Sequence, residues 1–507
     1  MARSRPKRRG GRPGGHVRAE APPVAASGVG AIPVWRLRAA FEAAKTTDLN
    51  RRHWQEADDL SADDAANPEV RKALRVRARH EIANNSIARG MTLTLANDII
   101  GTGPRLQLLT DDDRLNQTIE RDFEAWANAV NLAAKLRTMR LARIQDGECF
   151  ALMVRSKVPD APVNLDVMLV EADQVASPYF ALNDTRNIDG VILDEHGRPQ
   201  KYQVLIAHPG TSLATNDYLT FRASDVIHVF RADRPGQHRG IPEITAALPL
   251  FAQLRRFTLA VLSAAEAAAD FAGILYTDAP ANGEADDIEP MDKISLQRNS
   301  LVTMPGGWKM AQIDPKQPAT TYREFKEQIL CEIARCICMP FNVAAGNSSG
   351  YNYASGRLDH QSYFKSIRVD QHFMGIRVLD RILSAWFTEY LETTDRVHAT
   401  EVLGQAAGIY LPHQWFFDGM EHVDPLKEAN AAAVRLAYGI SSIPEEQARR
   451  GVDYETSARG AAKALGVTLD QYRALVRGKM FGTAELPPVD DRDDLDPDPM
   501  MEEAYAR

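Results

Sequence analysis

A serine between two glycines, in Gly346-Asn347-Ser348-Ser349-Gly350, matches the G-x-S-x-G pattern in which a strand-to-helix elbow presents a nucleophilic hydroxyl. Its chemistry would be acyl transfer, with Asp380 and His398 downstream in the order that such hydrolases use. The surroundings argue otherwise. An elbow needs a strand before it, whereas here a helix stopped by Met339-Pro340 leads into a stretch rich in Gly, Ser and Asn, and Asp380 falls within a long amphipathic helix. Cys331, Cys336 and Cys338 could offer thiolates to a metal. On a helix, however, 331 and 338 share a face that 336 does not, and no nearby Cys or His completes four ligands. They read as buried free cysteines. None of the twelve histidines pairs at i, i+4, and neither H-E-x-x-H nor G-x-x-x-x-G-K-[ST] occurs. Gly101-Thr102-Gly103 is a helix stop without the βαβ context of a dinucleotide site. No catalytic group, cofactor or metal is expected.

Recognition chemistry remains. Arg357, Lys365, Arg368 and Arg377 lie on or beside a long helix and could meet phosphates, although a solvated face mixed with Asp359 and Asp370 is the plainer reading of any one of them. Tyr351 and Tyr353 stand open between stacking and packing. The 507 residues carry 68 acids against 60 bases, a net charge of −8, which excludes a generic basic DNA coat and confines contact with nucleic acid to a local surface. With 25% charged and 44% apolar residues the chain has the composition of a folded protein of two to four domains. Four cysteines make no disulfide framework and suit a reducing cytoplasm. No membrane span is expected, because the most apolar stretch, 257–269, is too short and contains Glu266.

These groups must be positioned by elements legible in the pattern, and the fold class they imply is α+β. Residues 1–34 form a basic arm: the first 19 hold seven Lys or Arg and no acid, without the apolar core of a secretory signal, and disorder is expected. Asn67-Pro68 opens a helix expected to run to Gly101. Short β-branched and aromatic runs make residues 35–240 an α+β domain, with a hairpin turn at Glu195-His196-Gly197. A long helix is expected over 242–276, about 50 Å at 1.5 Å per residue, with Leu250, Leu254, Phe257, Val261, Ala264 and Ala268 on one face. A compact insert (277–320), a helix (321–338), a Gly, Ser and Asn loop (339–356), a second long helix (357–391), a helical segment (424–480) and an acidic segment (481–507) follow.

Several stretches together resemble the lambda-type portal proteins of tailed bacteriophages. They are IHVFRADRPGQHRGIP (227–242) before the long helix, RHEIANNSIARGMTLTLANDIIGTG (79–103), RLARIQDGECFALM (140–153), YNYASGR (351–357) and DGMEHVDPLKEANAA (418–432). The resemblance implies a homo-oligomeric ring, typically of twelve subunits, at one capsid vertex. Double-stranded DNA is driven in through it by a separate terminase and leaves through it at infection. Residues 35–240 with 392–423 would then be the wing, 242–276 and 321–338 the stem, 277–320 a clip meeting the terminase large subunit and later head-completion or tail-adaptor proteins, and 424–480 the crown. Residues 339–356 would be a tunnel loop carrying Asn347, Ser348, Ser349, Tyr351, Asn352 and Tyr353. Residues 357–391 would be the helix above it, offering Arg357, Lys365 and Arg368 to DNA. The stem face from Leu250 to Ala268 would join neighbouring subunits. Major capsid and scaffold proteins are further implied partners, the virion is the implied location, and assembly would take place in the bacterial cytoplasm. The alternatives are a serine hydrolase using Ser348 and a soluble intracellular scaffold through which no DNA passes.

Overall fold

The computed structural model describes residues 52–53, 55, 57–110, 112–157, 159, 161–178, 186–212, 216–270, 274–277, 308–311, 322–393, 411–419 and 425–481. The chain divides into two units, residues 1–59 and 60–507. The expected arm, residues 35–51, most of the 277–320 insert and the acidic segment after Phe481 lie outside the described residues.

The second unit is α+β. After a one-turn helix α1 (Ala62–Ala65), α2 (Pro68–Asn84) starts where Asn67 accepts the Val70 amide at 3.0 Å and Pro68 occupies the first helical position. The single helix expected up to Gly101 is two. Asn85 leaves helical geometry at φ −120°, and its side chain caps α3 (Ser86–Ile100) by accepting the Ile87 and Ala88 amides. A capping side chain at this point competes with continuation of the helix, which apolar spacing alone does not reveal.

Then come β1 (Arg105–Leu108), α4 (Asp113–Ala129), α5 (Leu132–Gln145), β2 (Glu148–Arg155), β3 (Leu165–Val170), β4 (Asn187–Ile188), β5 (Val191–Leu193), β6 (Pro199–Leu205), β7 (Tyr218–Arg222) and β8 (Val226–Phe230). Strand β2 is central in an antiparallel β3-β2-β8 sheet, and β4 to β7 form an antiparallel meander. The expected turn joins β5 to β6: Asp194 accepts the His196 and Arg198 amides, and Gly197 takes φ +74°.

Helix α6 (Leu248–Asp270) has 23 residues, so the rod is about 35 Å long rather than 50. Proline at 249 fits only the first helical turn, so the chain reaches it through a 3-10 turn at Thr245–Ala247. At the far end β9 (Ile274–Thr277) pairs antiparallel with β10 (Trp308–Ala311). Helix α7 (Tyr322–Arg335) stops earlier than expected, because Cys338 adopts left-handed φ 55° and the Met339 amide donates back to Ala334 O. The region expected as loop holds helix α8 (Phe341–Ala345), and α9 (Tyr353–Met374) begins inside it, so the loop proper is 346–352. A π turn at Gly375–Leu379 joins α9 to α10 (Asp380–Thr393). Strand β11 (His413–Phe416) pairs with β1, and α11 (Pro425–Ala437), α12 (Ile443–Arg449), α13 (Tyr454–Leu465) and α14 (Leu469–Phe481) complete the described chain.

The main core gathers α3, α5, α9, α10 and the β2 sheet around Phe123, Trp126, Trp386 and Tyr390. Trp126 Nε1 donates to Leu165 O at 2.7 Å, so the buried indole has its partner. No helix among the described residues is long and apolar enough to cross a membrane.

Candidate nucleic-acid interface

The junction from β8 to α6 is fixed by buried charge. Glu148, fully buried on β2, accepts from Arg239 Nε and NH2, the Gly240 amide and His228 Nε2, all between 2.7 and 3.0 Å. Arg239 also donates to the Val175 and Ala172 carbonyls and faces Asp189, which it shares with Arg71 of α2. A second square joins α5 to α9. Arg140 and Arg143 each bridge Glu243 and Asp370 at 2.7 to 3.0 Å. Down α2, Arg71, Arg75 and Arg79 at four-residue spacing meet Asp189, Asp173 and Asp146, which clamps the helix across both sheets. Neither cluster was foreseen from the sequence. No local signal marks them: Arg140 and Arg143 are two of four basic residues on α5, beside Lys135 and Arg137, and only their buried positions set them apart.

These clusters set how stability should depend on pH. Burial, reinforced by the Arg239 and Arg71 charges, holds His228 below its ordinary 6.5, so the unfolded chain takes up that proton first and stability falls as pH drops below 6.5. Burial alone would push Glu148 up, but Arg239 and His228 hold it well below 4.5, so its contribution is present above 4.5 and is lost as pH falls further. Asp146, raised by burial, has the opposite sign: its folded form is protonated first as pH falls. Denaturant midpoints measured from pH 8 to pH 5 should decline below about 6.5, and His228→Gln should flatten that decline. An unchanged profile in the variant would remove His228 as its source.

Beside this junction, α8 and α9 present the candidate interface. Gly346 ends α8 at φ 62°, Asn347 Oδ1 accepts the Ser349 amide, and Asn352 caps α9 by accepting the Ser355 amide at 2.9 Å. Asn342 Nδ2 donates to His360 Nε2 at 2.9 Å and ties α8 to α9. Residues 346–350 and Asn352 are exposed, whereas Tyr351 is half-buried and hydrogen-bonded to Asp359; burial, and after it the Asp359 carboxylate, raises its phenol. Tyr353 lies in the first turn of α9 rather than in a loop, and its side chain falls outside the described residues.

On α9 the charges are sorted. Arg357, Gln361, Lys365, Arg368 and His372 are exposed and fall within about 80° of one another at 100° per residue. The two acids of the helix lie far round from this stripe: Asp370 in the Arg140–Arg143 square and Asp359 against Tyr351. Among the described residues, Arg357, Lys365 and Arg368 make no ion pair. The cations are thus solvated in the single chain, with the two acids on the opposite side of the helix, and Arg377 is exposed in the π turn beyond.

Other candidates fare differently. Leu254 is 3% exposed and belongs to the core, Leu250 packs against that core, and Phe257 lies against Tyr322 and Phe325 of α7, so these three face inward within the chain. Periodicity identified an apolar face but not what covers it. Val261 is half-exposed and Ala264 exposed, next to exposed Leu259 and Leu262, while the Ala268 side chain lies outside the described residues. Ser348 follows helix α8 rather than a strand, and Asp380 accepts from Trp415 Nε1 at 2.8 Å and faces His413 Nε2 at 3.0 Å. His398 is outside the described residues. Cys331 and Cys338 are exposed and Cys336 half-buried, which corrects the expectation that all three are interior; buried Cys149 has its thiol pushed up to about 12. Glu171, Asp173 and His208 also converge, but Arg75 and Arg79 already pair with Asp173.

Residues 48–371 match the family described as "Phage portal protein, lambda family". The chain belongs to the lambda family of phage portal proteins. A curated relative, the "Probable portal protein" of Halomonas phage phiHAP-1, is 24% identical over 446 residues, covering 82% of this chain and 84% of the relative. Among solved structures, the chain is similar to one from the "Neck of empty GTA particle computed with C6 symmetry" (14% identity, TM-score 0.41, 74% of this chain and 93% of that one). Another is from the "Neck of native GTA particle computed with C12 symmetry" (15% identity, TM-score 0.42, 76% and 94%). In this portal chain, three of the stretches that carry the resemblance, 79–103, 140–153 and 227–242, supply Arg79, Arg140, Arg143, Glu148, His228 and Arg239 to the buried clusters.

Proposed function

We propose that this portal protein closes into a ring, of twelve copies as is typical of the family, at one vertex of a virion capsid, and that double-stranded DNA enters and leaves through the centre. The observation that carries this reading is the acid-free exposed stripe of α9, with Arg357, Lys365 and Arg368, beside a loop whose residues 346–350 and Asn352 are exposed. Twelve copies at −8 each total −96, so a duplex meets a body that repels it except along such a stripe, and its contacts stay weak enough for sliding. Asn347, Ser348, Ser349 and Asn352 offer polar, uncharged contacts at the edge of the passage.

The exposed Leu259, Leu262 and Ala264 of α6 are the stem surface left for a neighbouring copy. On this reading the wing comprises 35–240 with 392–423, the clip at 277–320 receives the terminase large subunit and then head-completion or tail-adaptor proteins, and 424–480 forms the crown. The basic arm turns toward capsid and scaffold proteins, and assembly takes place in the host cytoplasm. The sequence stretches that resemble the family support these assignments.

The test is the salt dependence of duplex binding by purified protein carrying Arg357→Ala, Lys365→Ala and Arg368→Ala together. Each lost phosphate contact should reduce the slope of log affinity against log salt by about 0.9, so the triple variant should be shallower by about 2 to 3. An identical slope would exclude this face from DNA contact.

A further inference from the structure

Among the described residues nothing pairs with the three permanent cations of the α9 stripe, which with His372 span about 22 Å of helix, fifteen rises of 1.5 Å from 357 to 372. No acid on the same helix shares that face. Elsewhere the same chain carries a polyanion. Residues 487–507 contain eight acids and two arginines, and six of the acids, Asp490, Asp491, Asp493, Asp494, Asp496 and Asp498, fall within nine residues. Blocks of like charge at this density are commonly interaction segments. Extended at about 3.3 Å per residue, 490–498 spans roughly 26 Å, close to the length of the stripe. Eight residues, 482–489, separate it from the end of α14 at Phe481, a connection of at most about 28 Å when fully extended.

We infer that residues 487–507 are a resident ligand of the α9 face, a built-in polyanion that occupies Arg357, Lys365 and Arg368 until DNA displaces it. This rests on the reading that the α9 face takes polyanions, and it names a second occupant. A tethered carboxylate run competes with DNA through its effective concentration without needing high intrinsic affinity. Its function is to keep an empty channel from holding stray nucleic acid, while a duplex with many phosphates on many copies wins the exchange. The basic arm, with seven Lys or Arg in its first 19 residues, is the competing location for the acidic segment.

The experiment compares four otherwise full-length proteins: the unsubstituted chain, a chain lacking 487–507, the Arg357→Ala/Lys365→Ala/Arg368→Ala variant, and the two changes combined. Duplex affinity is read by fluorescence anisotropy at about 100 mM salt. With an effective concentration near 1 mM and a segment affinity near 0.1 mM, the deletion should tighten DNA binding about tenfold in the unsubstituted chain and by under about twofold in the triple variant. A labelled peptide of residues 487–507 should bind the deleted protein in trans and fail to bind the combined variant. Equal tightening in both backgrounds, or none in either, overturns the inference, the former by pointing to long-range repulsion or capture by the basic arm. A triple variant that binds DNA normally defeats the DNA reading instead, and the peptide measurement still decides whether the acidic segment docks on α9.

Discussion

Glu148→Ala should cost about 3 to 5 kcal/mol of folding free energy, the range for stripping one partner from a buried ion pair. The carboxylate is fully buried and is the main counter-charge of Arg239, itself fully buried. Without it, Arg239 and Arg71 share Asp189 alone, and the Gly240 amide and His228 lose their acceptor. The penalty comes from the orphaned cation rather than from the value of the pair. Glu148→Leu combined with Arg239→Met should therefore lose less than Glu148→Ala alone, since two apolar residues need no counter-charge. Chemical denaturation of the three proteins checks this. A double variant no more stable than Glu148→Ala would contradict it.

Gly240→Ala should be comparably severe, at about 3 kcal/mol or more, because the added methyl has nowhere to go. A Cβ at Gly240 would overlap the Gly147 carbonyl, and one at Gly147 would overlap the Ile241 backbone. The two glycines let the turn before β2 and the segment leading to α6 touch backbone to backbone, and Gly147 also needs φ +87°. Backbone cannot move aside as the end of a flexible side chain can. Gly439→Ala makes a useful contrast: its φ of +65° carries a strain cost, but no atom lies within 4 Å of the added carbon. Soluble yield and denaturant midpoint should fall much further for Gly240→Ala than for Gly439→Ala. Equal losses would mean that the close approach is unimportant.

What the sequence made legible follows from the range of the interaction concerned. Caps and turns are local, so Asn67-Pro68 at the start of α2 and the turn at residues 195–197 could be read directly. The break at Asn85 is local too, yet it was hidden because the apolar rhythm continues across it. Helix α6 read too long because an apolar run shows a buried face without showing where 3-10 or extended backbone takes over. The inward packing of Phe257 depends on Tyr322 and Phe325 of α7, more than sixty residues away. The charge clusters are less visible still: Arg140 meets Glu243 and Asp370 across separations of 103 and 230 residues. At the candidate site the basic residues of α9 were named from sequence, and their separation from Asp359 and Asp370 follows from helical spacing; what the spacing does not show is that Tyr351 and the α5 arginines take those acids.

The central claim is a pierced ring, and its most direct measurement is the symmetry of single particles of the purified protein seen by electron microscopy. The account predicts closed annuli with a central hole and a single rotational order, twelve in the family's usual form, with the α9 face toward the hole. Particles that remain monomeric at high concentration, or that associate without enclosing a channel, would contradict it.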